Sequence, residues 1–128
     1  MVVSDMDGTL LNESSVVSAR NAAALRRAQD AGARVVIATG RPIWWLGPVI
    51  EAGFDGIAIC MNGAVVYDIA AGAIISTSLL RPRPMREFVA ELDLREPRFA
   101  IAVERVGTQL SACWAEPHYV HPWEDGEF

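Results

Sequence analysis

Asp5-Met6-Asp7-Gly8-Thr9-Leu10-Leu11, directly after the apolar run Met1-Val2-Val3, is the stretch on which the reading of this chain turns. Two carboxylates two residues apart, where a buried strand is expected to empty into a glycine-bearing turn, repel each other. A divalent cation is the usual remedy. One carboxylate can then act as a nucleophile while the other handles protons. The plainer alternative is a strand followed by an acidic turn. A short motif needs its structural context, so the surroundings choose between the two.

Working outward, residues 1–60 alternate in the manner of a parallel α/β sheet. Met1–Ser4 reads as a short apolar strand. Ser18 reads as the N-cap of a helix through Ala22, Leu25 and Ala28 to Ala31, with Gly32 in the C-terminal glycine position. Arg34–Ala38 and Ile57–Cys60 read as β-branched buried strands. Between them Ile43–Ala52 has helical apolar spacing, which Gly47-Pro48 should kink or restart. After Asn62 the period changes. Ala64–Asp68 and Ala73–Leu79 read as a hairpin, and Arg81-Pro82-Arg83-Pro84 as a stiff connector. Met85–Leu92 reads as a short amphipathic helix, and Arg98–Arg105 and Thr108–Trp114 as strands.

Two βα crossovers should leave the first three strands parallel, with ligands outside their carboxyl ends. Asp5 and Asp7 follow the first strand, Thr39 and Gly40 the second, and Asn62 the third. The polar signatures therefore converge on one rim. Thr39 offers a hydroxyl, and the amides ahead of the Ile43 segment could face a bound phosphoryl group; Thr39 as a simple N-cap is the alternative. Arg41 could reach a substrate or a surface carboxylate. Asn62 and Gly63 could line a phosphate pocket or form a tight turn, and Gly8 and Thr9 could brace the acidic loop or be ordinary turn residues. Adjacent residues do not share a helix face, so one of Trp44 and Trp45 is expected in the core and the other partly exposed.

Composition narrows the class. The 128 residues are 52% hydrophobic and 21% charged, which reads as a globular chain with one modest core. A net charge of −5 argues against nucleic acid or an anionic membrane as the main partner. No apolar run approaches the roughly eighteen residues of a membrane span, and acidic residues by position 5 do not suit a signal peptide. Cys60 and Cys113 lack paired spacing and read as isolated thiols. Together these point to a cytoplasmic protein. His118 and His121 could pair on a metal, with a solvated loop as the default, and Glu116, Glu124 and Asp125 read as surface charge.

Asp5–Leu11 resembles the first motif of the haloacid dehalogenase (HAD) superfamily of phosphotransferases. Ile37-Ala38-Thr39-Gly40-Arg41-Pro42 is similar to the second, and Met61-Asn62-Gly63-Ala64 resembles a signature of its Cof-type sugar-phosphate phosphatases. The resemblance implies an α/β fold, a Rossmann-like parallel sheet core with the beginning of an inserted α+β cap. Residues 1–81 would be the N-terminal half of the core and 82–128 the incomplete cap. It implies Asp5 as nucleophile and Asp7 as general acid and base. A magnesium ion would sit on the Asp5 side chain and the Asp7 carbonyl, while Thr39, Gly40, Arg41 and Asn62 would bind substrate or phosphate. The implied reaction is hydrolysis of small phosphorylated metabolites, sugar phosphates among them, through an aspartyl-phosphate. Phosphomutase and a non-catalytic phosphate- or partner-binding module are the alternatives.

The chain departs from the family in one respect. Such phosphatases carry a later lysine and a later acidic cluster, whereas all 11 basic residues here are arginine and Glu124-Asp125-Gly126-Glu127 does not match the cluster. The chain thus reads as the N-terminal part of a longer enzyme, with little or no activity alone and with its first strand left as an apolar sheet edge. Oligomeric state is not legible.

Overall fold

The structure is a computed structural model that describes residues 1–107 and 113–120. Contacts divide the chain into two compact units, Met1–Ser78 and Leu79–Phe128. In the first, β1 (Val2–Ser4), β2 (Val35–Ala38) and β3 (Ile57–Cys60) run parallel. β4 (Val65–Asp68) and β5 (Ala73–Thr77) continue the sheet as an antiparallel hairpin, giving the order β1-β2-β3-β4-β5. The α/β reading is correct, and the chain is a mixed, largely parallel sheet with helical crossovers.

β2 lies between two parallel neighbours and is buried through Val35, Val36 and Ile37, as its unbroken apolar run requires. β1 is the apolar sheet edge that the sequence led us to expect for this chain. Val2 is 40% and Val3 52% exposed, because β2 covers only one side of the strand. Its last bond before the sheet proper is Val2 N–H to the Arg34 carbonyl, 2.8 Å.

α1 (Ala19–Asp30) begins as the sequence indicates, with the Ser18 hydroxyl accepting from the Asn21 amide at 3.1 Å. Asn21 donates from its side chain to the Leu10 carbonyl (3.1 Å), which fastens the first turn of α1 to the acidic loop. The Ile43–Ala52 stretch does restart at Gly47: a single 3-10 turn (Ile43–Trp45) is followed by α2 (Gly47–Glu51), with Pro48 in its first turn. Ile43, Leu46 and Val49 fill the core beneath it.

Residues 12–17, unassigned from sequence, fold back as a small flap. Leu11 bridges Val17, and the Asn12 carboxamide oxygen accepts the amides of Ser14 and Val16, each at 3.0 Å.

The second unit contains α3 (Pro82–Arg95), and β6 (Ala102–Glu104) paired antiparallel with β7 (Cys113–Ala115). The stiff connector expected at Arg81–Pro84 is instead the start of α3. Arg81 is the cap and both prolines sit in the first turn, where a missing N–H breaks no bond. Ion pairs at i,i+4, Arg83–Glu87 and Arg95–Glu91, extend the helix beyond the expected 85–92. β6 is shorter than the strand expected over 98–105, and residues 108–112 of the second expected strand lie outside the described residues, as do His121, Glu124 and Asp125. No helix among the described residues is long and apolar enough to cross a membrane.

Leu46 is fully buried where the 3-10 turn meets α2. Leu46→Ala should cost about 2–5 kcal/mol through lost burial and a residual cavity, read as a lowered urea midpoint at unchanged slope. A shift under about 1 kcal/mol would mean this corner is not tightly packed.

Candidate active site

The acidic loop is built around one buried side chain. Met6 is fully buried between Asp5 and Asp7, both of which are exposed. As the chain leaves β1 in an extended conformation, a methionine pinned inward turns its two neighbours outward. Residues 6–10 then form one wide turn, closed by Leu11 N–H to the Met6 carbonyl (2.9 Å), with Leu10 buried as a second anchor. Gly8 sits at φ 72°, a left-handed conformation that lets the loop double back behind the carboxylates. The Thr9 hydroxyl lies 3.5 Å from the Asp5 carboxylate, a long contact that braces the nucleophile candidate only weakly.

Thr39 is 6% exposed, the buried polar residue of the core. Its amide donates to the Ile59 carbonyl (2.8 Å), and its hydroxyl oxygen accepts the Arg41 amide (3.1 Å). Thr39 is therefore not an N-cap: the following helical turn is capped at Pro42 and has no side-chain cap bond. The sequence reading of free helix-start amides is corrected in the same way. Thr39 and Arg41 N–H are engaged, which leaves the Gly40 amide as the loop's candidate donor to an anion.

The third loop is strapped to the second. Met61 N–H donates to the Arg41 carbonyl (3.0 Å) and Asn62 N–H to the Thr39 carbonyl (3.2 Å). Met61, Asn62 and Gly63 all have positive φ, so the tight-turn reading of Asn62 is correct in geometry. A Cβ on Gly40 would lie 3.2 Å from the Asn62 Oδ1, a tight contact to which the Asn62 side chain would have to give way. Asp5, Ala38, Thr39, Gly40, Ile59, Asn62 and Gly63 line one open cleft of about 350 Å³. Of the sequence candidates, Asp5, Thr39, Gly40 and Asn62 thus share a cleft, while Asp7 and Arg41 stand beside it as a pair.

That pair was left open by sequence reasoning. Arg41 grips Asp7 in a fork, with Nη2 to Oδ1 at 2.7 Å and Nε to Oδ2 at 2.9 Å. Arg41 also donates to the Trp45 carbonyl (3.3 Å) and lies 5.2 Å from the Trp45 ring centroid. The side chain of Arg41 is 14% exposed and that of Asp7 56%, so the guanidinium is fixed while the carboxylate stays approachable. The hydrogen bond from Arg41 holds the Asp7 carboxyl below its ordinary value; partial burial opposes this and the Arg41 charge adds to it. Spacing along the chain could not reveal the pair, because 34 residues separate its members.

Trp44 and Trp45 correct a second expectation. Neither is in the core; both are half-buried and stack with centroids 5.2 Å apart and planes 28° from parallel. Cys60 is buried beneath the site, and burial pushes its thiol up to about 11, so it stays protonated and inert. His118 meets Glu116 at 3.7 Å in the second unit.

Hard oxygen donors suit magnesium, and the Asp5 carboxylate and the Asp7 carbonyl are the two the acidic loop could offer. Among the described residues no group of three or more His, Cys, Asp or Glu could hold a metal. Two such donors would leave an ion to take its other ligands from water and phosphate oxygens.

Residues 2–112 match a family model described as haloacid dehalogenase-like hydrolase. The chain belongs to that family. It is 44% identical over 64 residues to 5-amino-6-(5-phospho-D-ribitylamino)uracil phosphatase YwtE of Bacillus subtilis, covering 50% of this chain and 22% of that protein. It is 36% identical over 76 residues to pyridoxal phosphate phosphatase YbhA of Escherichia coli, covering 59% of this chain and 28% of the relative. Among solved structures it is similar to BT1666 of Bacteroides thetaiotaomicron, a phosphatase of the HAD superfamily. The TM-score is 0.74 at 28% identity, over 94% of this chain and 42% of that one. The HAD-like hydrolase chain thus spans about a quarter of the length of these curated relatives.

Asp7 has a depressed pKa, so its pairing with Arg41 is complete above its ordinary value of 3.8 and is lost as pH falls through the lowered one. In metal-free buffer, the melting-temperature gap between wild type and Asp7→Asn should hold from about pH 7 to about pH 4 and close below that. With Asp7 half-exposed the gap is small; a gap that persists undiminished in strong acid would show that the pair contributes nothing.

Proposed function

We propose that the chain carries the nucleophile half of a magnesium-dependent phosphomonoesterase site that takes small phosphorylated metabolites, sugar phosphates among them. The supporting observation is the clustering of Asp5, Thr39, Gly40 and Asn62 around one cleft, with Asp7 held beside it. In this reading an Asp5 carboxylate oxygen attacks phosphorus and the bond to the leaving alcohol breaks. Protonated Asp7 gives its proton to the departing oxygen. The Asp7 carboxylate then takes a proton from water as that water attacks the aspartyl-phosphate, which releases phosphate and restores Asp5.

Arg41 favours the ionised, base form of Asp7 in the resting site. A phosphoryl dianion arriving in the cleft competes for the guanidinium and so eases Asp7 toward its acid form. The Thr39 hydroxyl and Gly40 amide hold phosphoryl oxygens. A magnesium ion, when bound by Asp5 and the Asp7 carbonyl, supplies positive charge against the repulsion between carboxylate and phosphate. Because no lysine is present and no acidic cluster stands among the described residues, we expect little or no turnover from these 128 residues alone.

The test is trapping at Asp5. Fluorine NMR with beryllofluoride and magnesium should give a bound signal with wild type and none with Asp5→Asn, since the mimic needs a carboxylate oxygen. A signal of equal size from Asp5→Asn would remove Asp5 from the mechanism.

A further inference from the structure

A side chain outside the cleft ties the acidic loop to α1. Asn21 donates from its Nδ2 to the Leu10 carbonyl at 3.1 Å. The N–H of the same peptide group, that of Leu11, donates to the Met6 carbonyl at 2.9 Å. The Met6 carbonyl belongs in turn to the peptide that carries the Asp7 N–H. Two hydrogen bonds in series therefore run from α1 to the peptide between Met6 and Asp7, and bonds in series polarise and strengthen one another. Each peptide is a rigid plane, so holding one end of the series fixes the direction in which the chain enters Asp7.

Helix stability alone favours a different residue at this place. Asn21 is the third residue of α1, and the Ser18 hydroxyl accepts its amide. A carboxylate there suits the helix dipole, and a glutamate or glutamine can reach back to the cap N–H. The first turn of α1 nonetheless has no acidic residue, and asparagine is a weak helix former. Its half-buried side chain turns from the helix to the loop instead. In the phosphatase reading above, on which this inference rests, Asp5 and Asp7 need fixed directions, and buried Met6 between them gives only one anchor. We infer that Asn21 is a positioning residue: acting through the Leu10–Leu11 and Met6–Asp7 peptides, it orients the Asp5–Asp7 segment without touching a ligand. Arg41 steadies the Asp7 side chain from the β2 loop, and Asn21 steadies its backbone from α1.

Titration of the full chain with beryllofluoride and magnesium, followed by fluorine NMR, tests this through affinity without relying on turnover. Asn21→Leu keeps the size and neutrality of the side chain and is the better helix former, but has no N–H to donate. It should weaken beryllofluoride binding about fivefold and move the Leu11 and Asp7 amide protons upfield. Ala24→Gly, at an exposed position of the same helix, controls for stability alone. It loosens α1 without reaching the loop, and should bind beryllofluoride as wild type does. Wild-type affinity in Asn21→Leu, or an equal loss in Ala24→Gly, would overturn the positioning role and leave the phosphatase reading standing. If wild type itself takes up no beryllofluoride, the site is misread and the role of Asn21 falls with it.

Discussion

The fork between Arg41 and Asp7 joins the loop after β1 to the loop after β2, and most of the site's geometry can be traced to it. A lone carboxylate on a flexible turn would wander; a carboxylate held by two short bonds to a largely buried guanidinium keeps one position. Arg41 can do this because its own backbone is fixed twice, through its amide to Thr39 and its carbonyl to Met61. The bonds that fix Arg41 also hold the cleft floor, so the Asp7 carboxylate and the cleft are positioned by one set of loop contacts.

The loops themselves are shaped by backbone conformations that few residues accept. Gly8 turns the acidic loop through a left-handed conformation, and Gly40 lets Asn62 approach to a distance that a methyl group would crowd. Met61 and Asn62 take up positive φ without being glycine, a cost offset by two backbone bonds to the neighbouring loop. Strain of this kind concentrates where three strand ends meet, which is also where α/β sheets present their ligands.

Much was legible because it is local. The Ser18 cap, the β2 and β3 runs, the hairpin turn before Gly72 and the helix restart at Gly47 all follow from side chains acting on their own backbone. The convergence of Asp5, Thr39, Gly40 and Asn62 followed from parallel topology and motif order. Pro82 and Pro84 misled because proline marks both a stiff linker and a helix start, and only the residues that follow distinguish them. Trp44 and Trp45 misled because the helix-face rule presumes a continuing α-helix, and a single 3-10 turn lets adjacent rings stack.

By itself, then, the sequence determined the strands, the caps, the order of polar signatures and the family to which they belong, since each rests on spacing within a few residues or on a linear motif. Tertiary structure alone decided that Thr39 braces Arg41 and caps nothing, and that Arg41 selects Asp7. These outcomes depend on which strand lies beside which and on side chains brought together across dozens of residues. Long-range proximity of that kind is fixed by packing and leaves no periodic trace in the chain.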